Sequence, residues 1–245
     1  MKSSIHKASQ GYKVTLIGIL LSCWIGILGS CTKTSNVNEA PPVIRGPGGC
    51  TKVCQLVGDM DLQTGQPVIN QTLSRSGIYG SDLGVSFEHN GKLWFLFGDT
   101  VGISMANEDA IAFSSDNDPN DCVELTFLTD NEGKWIAPTV PTVSLGAFEV
   151  PMEGISVQGM MYVYFTTDHS ELHTMGRSIL ARSDDDGQTF SFVTTISDHG
   201  KFINLSAEVV DTTNMKGLPA NDGQGIFFWG SGEFRQSGVS LAFHP

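Results

Sequence analysis

Basic residues are scarce in this chain: 14 Lys and Arg stand against 26 Asp and Glu, a formal net charge of −12. A surface of that sign repels phosphate backbones and anionic headgroups, which argues against nucleic acid as a partner and leaves neutral glycans open. Charge of either sign is thin, at 16 % of residues, while Gly reaches 28. No window of a dozen residues carries a 3.6-residue apolar period, so long amphipathic helices are not expected. Low charge, many glycines and many Thr, Val and Phe suit short strands joined by turns, an all-β chain. Zinc spacing is missing too. The five Cys contain no C-x2-C pair, and His169 and His173, four apart, fall in a loop. Neither a metal nor a cofactor is expected.

The N-terminus carries an export pattern. Lys2, Lys7 and Lys13 precede a 15-residue apolar run, Val14 to Leu28. That run is short for a membrane span and suits a signal peptide over residues 1–30. Leu28-Gly29-Ser30-Cys31 has the form of a bacterial lipobox, with Cys31 as the lipidation site and acyl chains as the membrane anchor. Without residues 1–30, eleven basic residues face 26 acidic ones, a net charge of −15. Residues 31–48, the lipidated Cys followed by a polar stretch with Pro and Gly, read as a tether. The folded domain is expected over 49–245. The compartment is then the cell envelope, where disulfides form. Cys50–Cys54 could bridge, or either could pair with Cys122, leaving one odd thiol.

Strand-like runs follow one another from Val57 on. Val57–Met60 opens them, and Thr126–Leu128, Ile179–Arg182, Phe190–Thr195, Gly225–Trp229 and Val239–Phe243 are further candidates. Two hairpins stand out. In the first, Leu83–Glu88 and Leu93–Phe97 flank His89-Asn90-Gly91-Lys92, and Asn-Gly is the strongest short hairpin signal because both turn positions need positive φ. In the second, Gly154–Phe165 turns at Gln158-Gly159. Aromatic-rich runs recur after Gly91, Gly159 and Gly225, spaced 68 and 66 residues apart. A hairpin plus a further strand at that spacing predicts β-propeller blades, with a β-sandwich as the competing architecture. Only about three blades fit, and propellers close with four to eight, so the chain is expected to be a C-terminally incomplete piece. Ser183–Phe190, SDDDGQTF, fits the Asp-box hairpin turn of propellers, a structural motif.

Asp82 and Asp99 bracket the first hairpin, 17 positions apart. An antiparallel hairpin returns its outer ends to one edge, so the two carboxylates are expected together, each at the end of an apolar strand. A close carboxylate pair is what acid–base hydrolysis of a glycoside needs. Glu153 and Asp168 hold the corresponding places around the second hairpin and are candidate substrate contacts on the same rim. Arg235, after Trp229-Gly230-Ser231-Gly232, is a candidate clamp for a hydroxyl-rich substrate or a carboxylate. Trp94, Trp135 and Trp229 read as core rather than as sugar platforms.

At 81–100 (SDLGVSFEHNGKLWFLFGDT), 180–190 (LARSDDDGQTF) and 227–245 (FFWGSGEFRQSGVSLAFHP), the chain resembles DUF4185, a family of usually exported bacterial propellers. The likeness covers about residues 77–245. It implies a five-bladed propeller with acidic residues around a central cleft. It also implies an endo-acting activity like that of the members that cut D-arabinan. Asp82 and Asp99 match the motif aspartates, and the catalytic role is carried to them alone. Glu233-Phe234 departs from the usual continuation after WGSG. The expectation is an exported, glycan-acting lipoprotein, an endo-type glycoside hydrolase of arabinan-like polysaccharide. The alternative is a glycan-binding or structural propeller without catalysis.

Overall fold

A computed structural model describes residues 51–118, 120–170, 174–198, 200–218, 223–232 and 237–245. The expected signal peptide, Cys31, the tether, Cys50, His173 and Arg235 lie outside the described residues. The fold is mostly antiparallel β-sheet in three separate sheets. Sheet 1 comprises β1 (Ile78–His89), β2 (Lys92–Gly102), β3 (Ala106–Ser114) and β4 (Thr126–Phe127). Sheet 2 comprises β5 (Pro151–Val157), β6 (Met160–Thr167), β7 (Arg177–Ser183) and β8 (Ser191–Ser197). Sheet 3 comprises β9 (Asn204–Asp211), β10 (Gln224–Ser231) and β11 (Ser240–His244). Each is a meander in chain order. One five-residue helix, α1 (Thr72–Ser76), precedes them. Among the described residues, no helix is long and apolar enough to cross a membrane.

Local chemistry explains the turns. Asn90 and Gly91 close β1–β2 at φ 51° and 71°, and Gln158 and Gly159 close β5–β6 at 52° and 76°. Both fit the primed turns that match strand twist. Between β7 and β8, the Ser183 hydroxyl accepts the Gly187 N–H (2.8 Å). Asp185 accepts the Thr189 N–H (2.9 Å) and hydroxyl (2.6 Å). Phe190 is buried below, edge-on to Phe165 at 5.9 Å. This is the side-chain-to-backbone wiring expected of the SDDDGQTF stretch.

The core lies between sheets. Phe87, Trp94, Leu96 and Ile111 of sheet 1 meet Met161, Val163, Phe165 and Ile179 of sheet 2. Each fully buried side chain of this size contributes roughly 1.5–3 kcal/mol before the entropy of ordering it. Ile155 and Tyr164 of sheet 2 meet Leu205 and Ala207 of sheet 3. The first strands of the sheets are neighbours, β1 beside β5 and β5 beside β9. The opposite face of sheet 1 (Ile78, Phe95, Phe97, Phe127, with Trp135) is covered in part by Leu56 and Val57.

Three expectations about secondary structure change. Val57–Met60 is not a strand; only an isolated bridge pairs Met60 with Pro67. Side chains take the backbone groups a ladder would use: Gln55 Nε2 donates to the Val57 and Met60 carbonyls, and its Oε1 accepts the Leu62 N–H. Asp59 Oδ1 accepts the Leu73 and Ser74 N–H groups at the start of α1. Neither β9 nor α1 was expected. The bridge between Cys54 and Cys122 closes the choice of pairings: S–S is 2.05 Å across a separation of 68 residues.

Candidate functional site

Asp82 and Asp99 are neighbours across β1 and β2, inside the strands and not at their ends. Both lie inside long strands where the register slips. Between the pairs Gly80↔Val101 and Asp82↔Gly98, β1 contributes Ser81 alone while β2 contributes Asp99 and Thr100. Between Phe97↔Ala110 and Thr100↔Glu108, β3 contributes Asp109 alone against Gly98 and Asp99. Asp99 is thus the bulged residue toward both neighbours, with φ 42°. Bulges of this kind re-aim a side chain without ending the sheet. The Ser81 hydroxyl pins the spot, 3.2 Å from the Gly98 carbonyl that accepts from it and 2.7 Å from the Thr100 hydroxyl.

The electrostatics around this pair are one-sided. Asp82 reaches solvent, yet partial desolvation, and then the Asp99 charge, hold its carboxyl above the ordinary range. Asp109 is buried. Burial, with the charges of Asp99 and Glu108, pushes its carboxyl up to about 9; the Asp99 N–H donates to it and opposes the shift, and Glu149 adds to it. Desolvation raises Glu108 as well. Among the described residues, no ion pair includes Asp82, Asp99, Glu108, Asp109 or Glu149. Among the described residues, no group of three or more His, Cys, Asp or Glu is arranged to hold a metal ion.

A loop before β5 closes over Asp99. The Phe148 N–H donates to Asp99 Oδ1 at 3.0 Å. Glu149, buried, accepts from the Ser144 hydroxyl (3.0 Å) and the Gly146 N–H (2.9 Å) on one oxygen. Its other oxygen accepts the His169 N–H (2.8 Å). The Phe148 ring, half exposed, lies 4.9 Å from that of His169. Tyr79, three residues before Asp82, is 58 % exposed.

The other candidates have different surroundings. Asp168 shares the left-handed conformation of Asp99, at φ 59°, but Arg177 Nε donates to it at 2.6 Å. Glu153 turns toward sheet 3, accepting the Ser206 hydroxyl (2.6 Å) and the Ala207 N–H (3.4 Å). These bonds join β5 to β9. Trp94 and Trp135 are core, whereas Trp229 is 40 % exposed. It lines a cleft of about 430 Å³ with Val85, Pro151, Met152, Ser206 and Ser231. A second cleft, about 470 Å³, is lined by Val57, Met60, Tyr79 and Ser81 and reaches the residue beside Asp82. Asp109, Glu108 and Glu149 were not found from sequence. A usable signal was the acidic pair directly before the apolar run AIAF, opposite Gly98-Asp99 in a meander.

No curated protein matches this chain. A sequence profile described as Domain of unknown function (DUF4185) matches residues 68–245. Covering well over half of the chain and all three sheets, that match makes this protein a member of the DUF4185 family.

Proposed function

We propose that the Asp82/Asp99 pair is the catalytic centre of a glycoside hydrolase acting within arabinan-like polysaccharide. The three sheets would be consecutive blades of a β-propeller. The meander order and the side-by-side first strands β1, β5 and β9 support that architecture. The observation that carries the chemistry is Asp82, held above the ordinary carboxyl range by partial desolvation and then by the charge of Asp99. A carboxyl that holds its proton more tightly than usual is suited to the acid role, with its neighbour left for the base or nucleophile role. Asp82 gives its proton to the leaving glycosidic oxygen as the C–O bond breaks. Asp99 either attacks the anomeric carbon or takes a proton from the incoming water. Tyr79 and Phe148 offer the ring faces on which sugars stack. Export and lipid attachment at Cys31 would put this activity at the cell envelope, with Asp168 and Arg235 as outlying substrate contacts.

The test is arabinan digestion by the full chain, with released oligosaccharides followed by chromatography. Asp82→Asn and Asp99→Asn should each lower turnover by at least about a hundredfold. Unchanged cleavage in both would sink the assignment. The exposed aromatics favour a second reading, a glycan-binding protein without catalysis. Saturable arabinan binding with no product after long incubation would select it.

A further inference from the structure

We propose that Asp109 is a positioning residue for Asp99, fixing the β-bulge that sets the aim of Asp99. The inference deepens the hydrolase reading and rests on it for its catalytic consequence only. Three observations converge. Asp109 is the one β3 residue opposite the two extra residues of β2, Gly98 and Asp99. It is 4 % exposed, so its side chain is packed away from bulk solvent beside the bulge. The slipped register leaves Asp99 without a β3 partner, and its N–H faces that carboxyl, opposing the rise in its pKa. A buried N–H without an acceptor costs about 1–3 kcal/mol, so Asp109 is what makes the bulge affordable.

Asp99 is then held at two points: its N–H by Asp109 and its Oδ1 by the Phe148 N–H at 3.0 Å. The groups facing Asp109 are Asp99 from β2, Glu108 from β3 and Glu149 from the loop before β5. All are acids, and among the described residues no cation pairs with any of them. Asp109 therefore keeps its proton through neutral pH, and its value of about 9 marks where repulsion sets in. An amide has the shape of a protonated carboxyl and cannot ionise. Asp109→Asn should preserve the bulge, and Asp109→Leu should release it.

The experiment uses the full chain with two readouts. Hydrogen exchange reports the Asp99 and Phe148 N–H groups. Arabinan cleavage from pH 6 to 10 reports the aim of Asp99. In Asp109→Leu both N–H groups should lose protection, and kcat should fall about tenfold or more with a smaller change in KM, as expected for a misaimed group. Asp109→Asn should keep protection and activity at pH 7. It should also lack the part of the alkaline fall in kcat centred near about pH 9 that is expected of the wild type, while keeping the part that loss of the Asp82 proton produces. Unchanged protection and kcat in Asp109→Leu overturns the proposal. So does an Asp109→Asn that loses protection, or that keeps the part of the fall centred near about pH 9. If Asp109→Leu does not fold, the Asn variant decides alone. If the wild type cleaves no arabinan, the hydrolase reading fails, while loss of protection in Asp109→Leu with its retention in Asp109→Asn still decides the role of Asp109.

Discussion

Gly154→Ala tests how sheets 1 and 2 are joined, because two effects pull it in opposite directions. Gly154 lies in β5 and is not among the glycines with left-handed φ. Its backbone therefore accepts a side chain. The lower entropy of an unfolded chain carrying Ala should stabilise the protein by about 0.4–1 kcal/mol. Packing says otherwise. A Cβ at Gly154 would stand 2.2, 2.3 and 2.7 Å from Cε1, Cδ1 and Cζ of Phe87, against ordinary carbon contacts of about 3.5–4.0 Å. The ring cannot swing away, since Phe87 is packed in the cluster with Trp94, Leu96 and Met161. Overpacking of that kind costs about 1–3 kcal/mol, so the net expectation is destabilisation.

Urea unfolding followed by Trp fluorescence and circular dichroism gives the measurement. With an m-value of about 1–3 kcal/mol/M, the midpoint should fall by about 1 M. Gly80→Ala is the control: nothing lies within 4 Å of a Cβ there, and its φ is not positive. It should be neutral or slightly stabilising. Phe87→Val removes the three offending ring atoms and costs about 2–4 kcal/mol through the cavity it leaves. In that background Gly154→Ala should turn neutral or stabilising, because its methyl enters the vacated space. The reasoning is refuted if Gly154→Ala destabilises equally with Phe and with Val at position 87. Additivity would mean the two residues do not touch.

Two further outcomes follow from the N-terminal half. Reducing the Cys54–Cys122 bridge frees a loop of 68 residues, for which loop-closure entropy gives about 4 kcal/mol as an upper figure; an unchanged unfolding midpoint in Cys54→Ser would contradict it. If Cys31 is acylated, the chain expressed with its own leader should partition into detergent and take up labelled fatty acid. Cys31→Ala should do neither, and detergent partition of that variant would remove the lipobox reading.

Short-range signals carried most of what could be read in advance. Asn90-Gly91 and Gln158-Gly159 declare hairpins because the turn itself demands positive φ at both positions. Ser183–Phe190 declares a turn because its side chains satisfy its own backbone. The failures are long-range. Val57–Met60 has strand composition, but Gln55 and Asp59 tie that backbone into loops. β9 was missed because Glu208 and Ser206 interrupt an apolar run that is legible only once sheet 3 packs on sheet 2. Asp82 and Asp99 could be paired from the hairpin alone. Asp109 could not, because its position depends on the register of a third strand against a bulge.

The left-handed aspartates separate shape from chemistry. Asp99 and Asp168 follow corresponding aromatic strands and adopt φ 42° and 59°. Asp tolerates that region better than most residues, so a turn-forming role explains both without any ligand. Conformation alone therefore gives Asp99 no claim to function. Its neighbours do. Arg177 neutralises Asp168 at 2.6 Å in a pair open to solvent. Among the described residues no cation pairs with Asp99, and its charge helps to raise two acids, Asp82 and Asp109. Keeping three carboxyls together without a cation opposes folding, whereas an arginine placed as at Asp168 would relieve it. In the proposed hydrolase, the retained proton is the one that Asp82 gives to the leaving oxygen. This asymmetry, more than the hairpin or the repeat, singles out the first sheet.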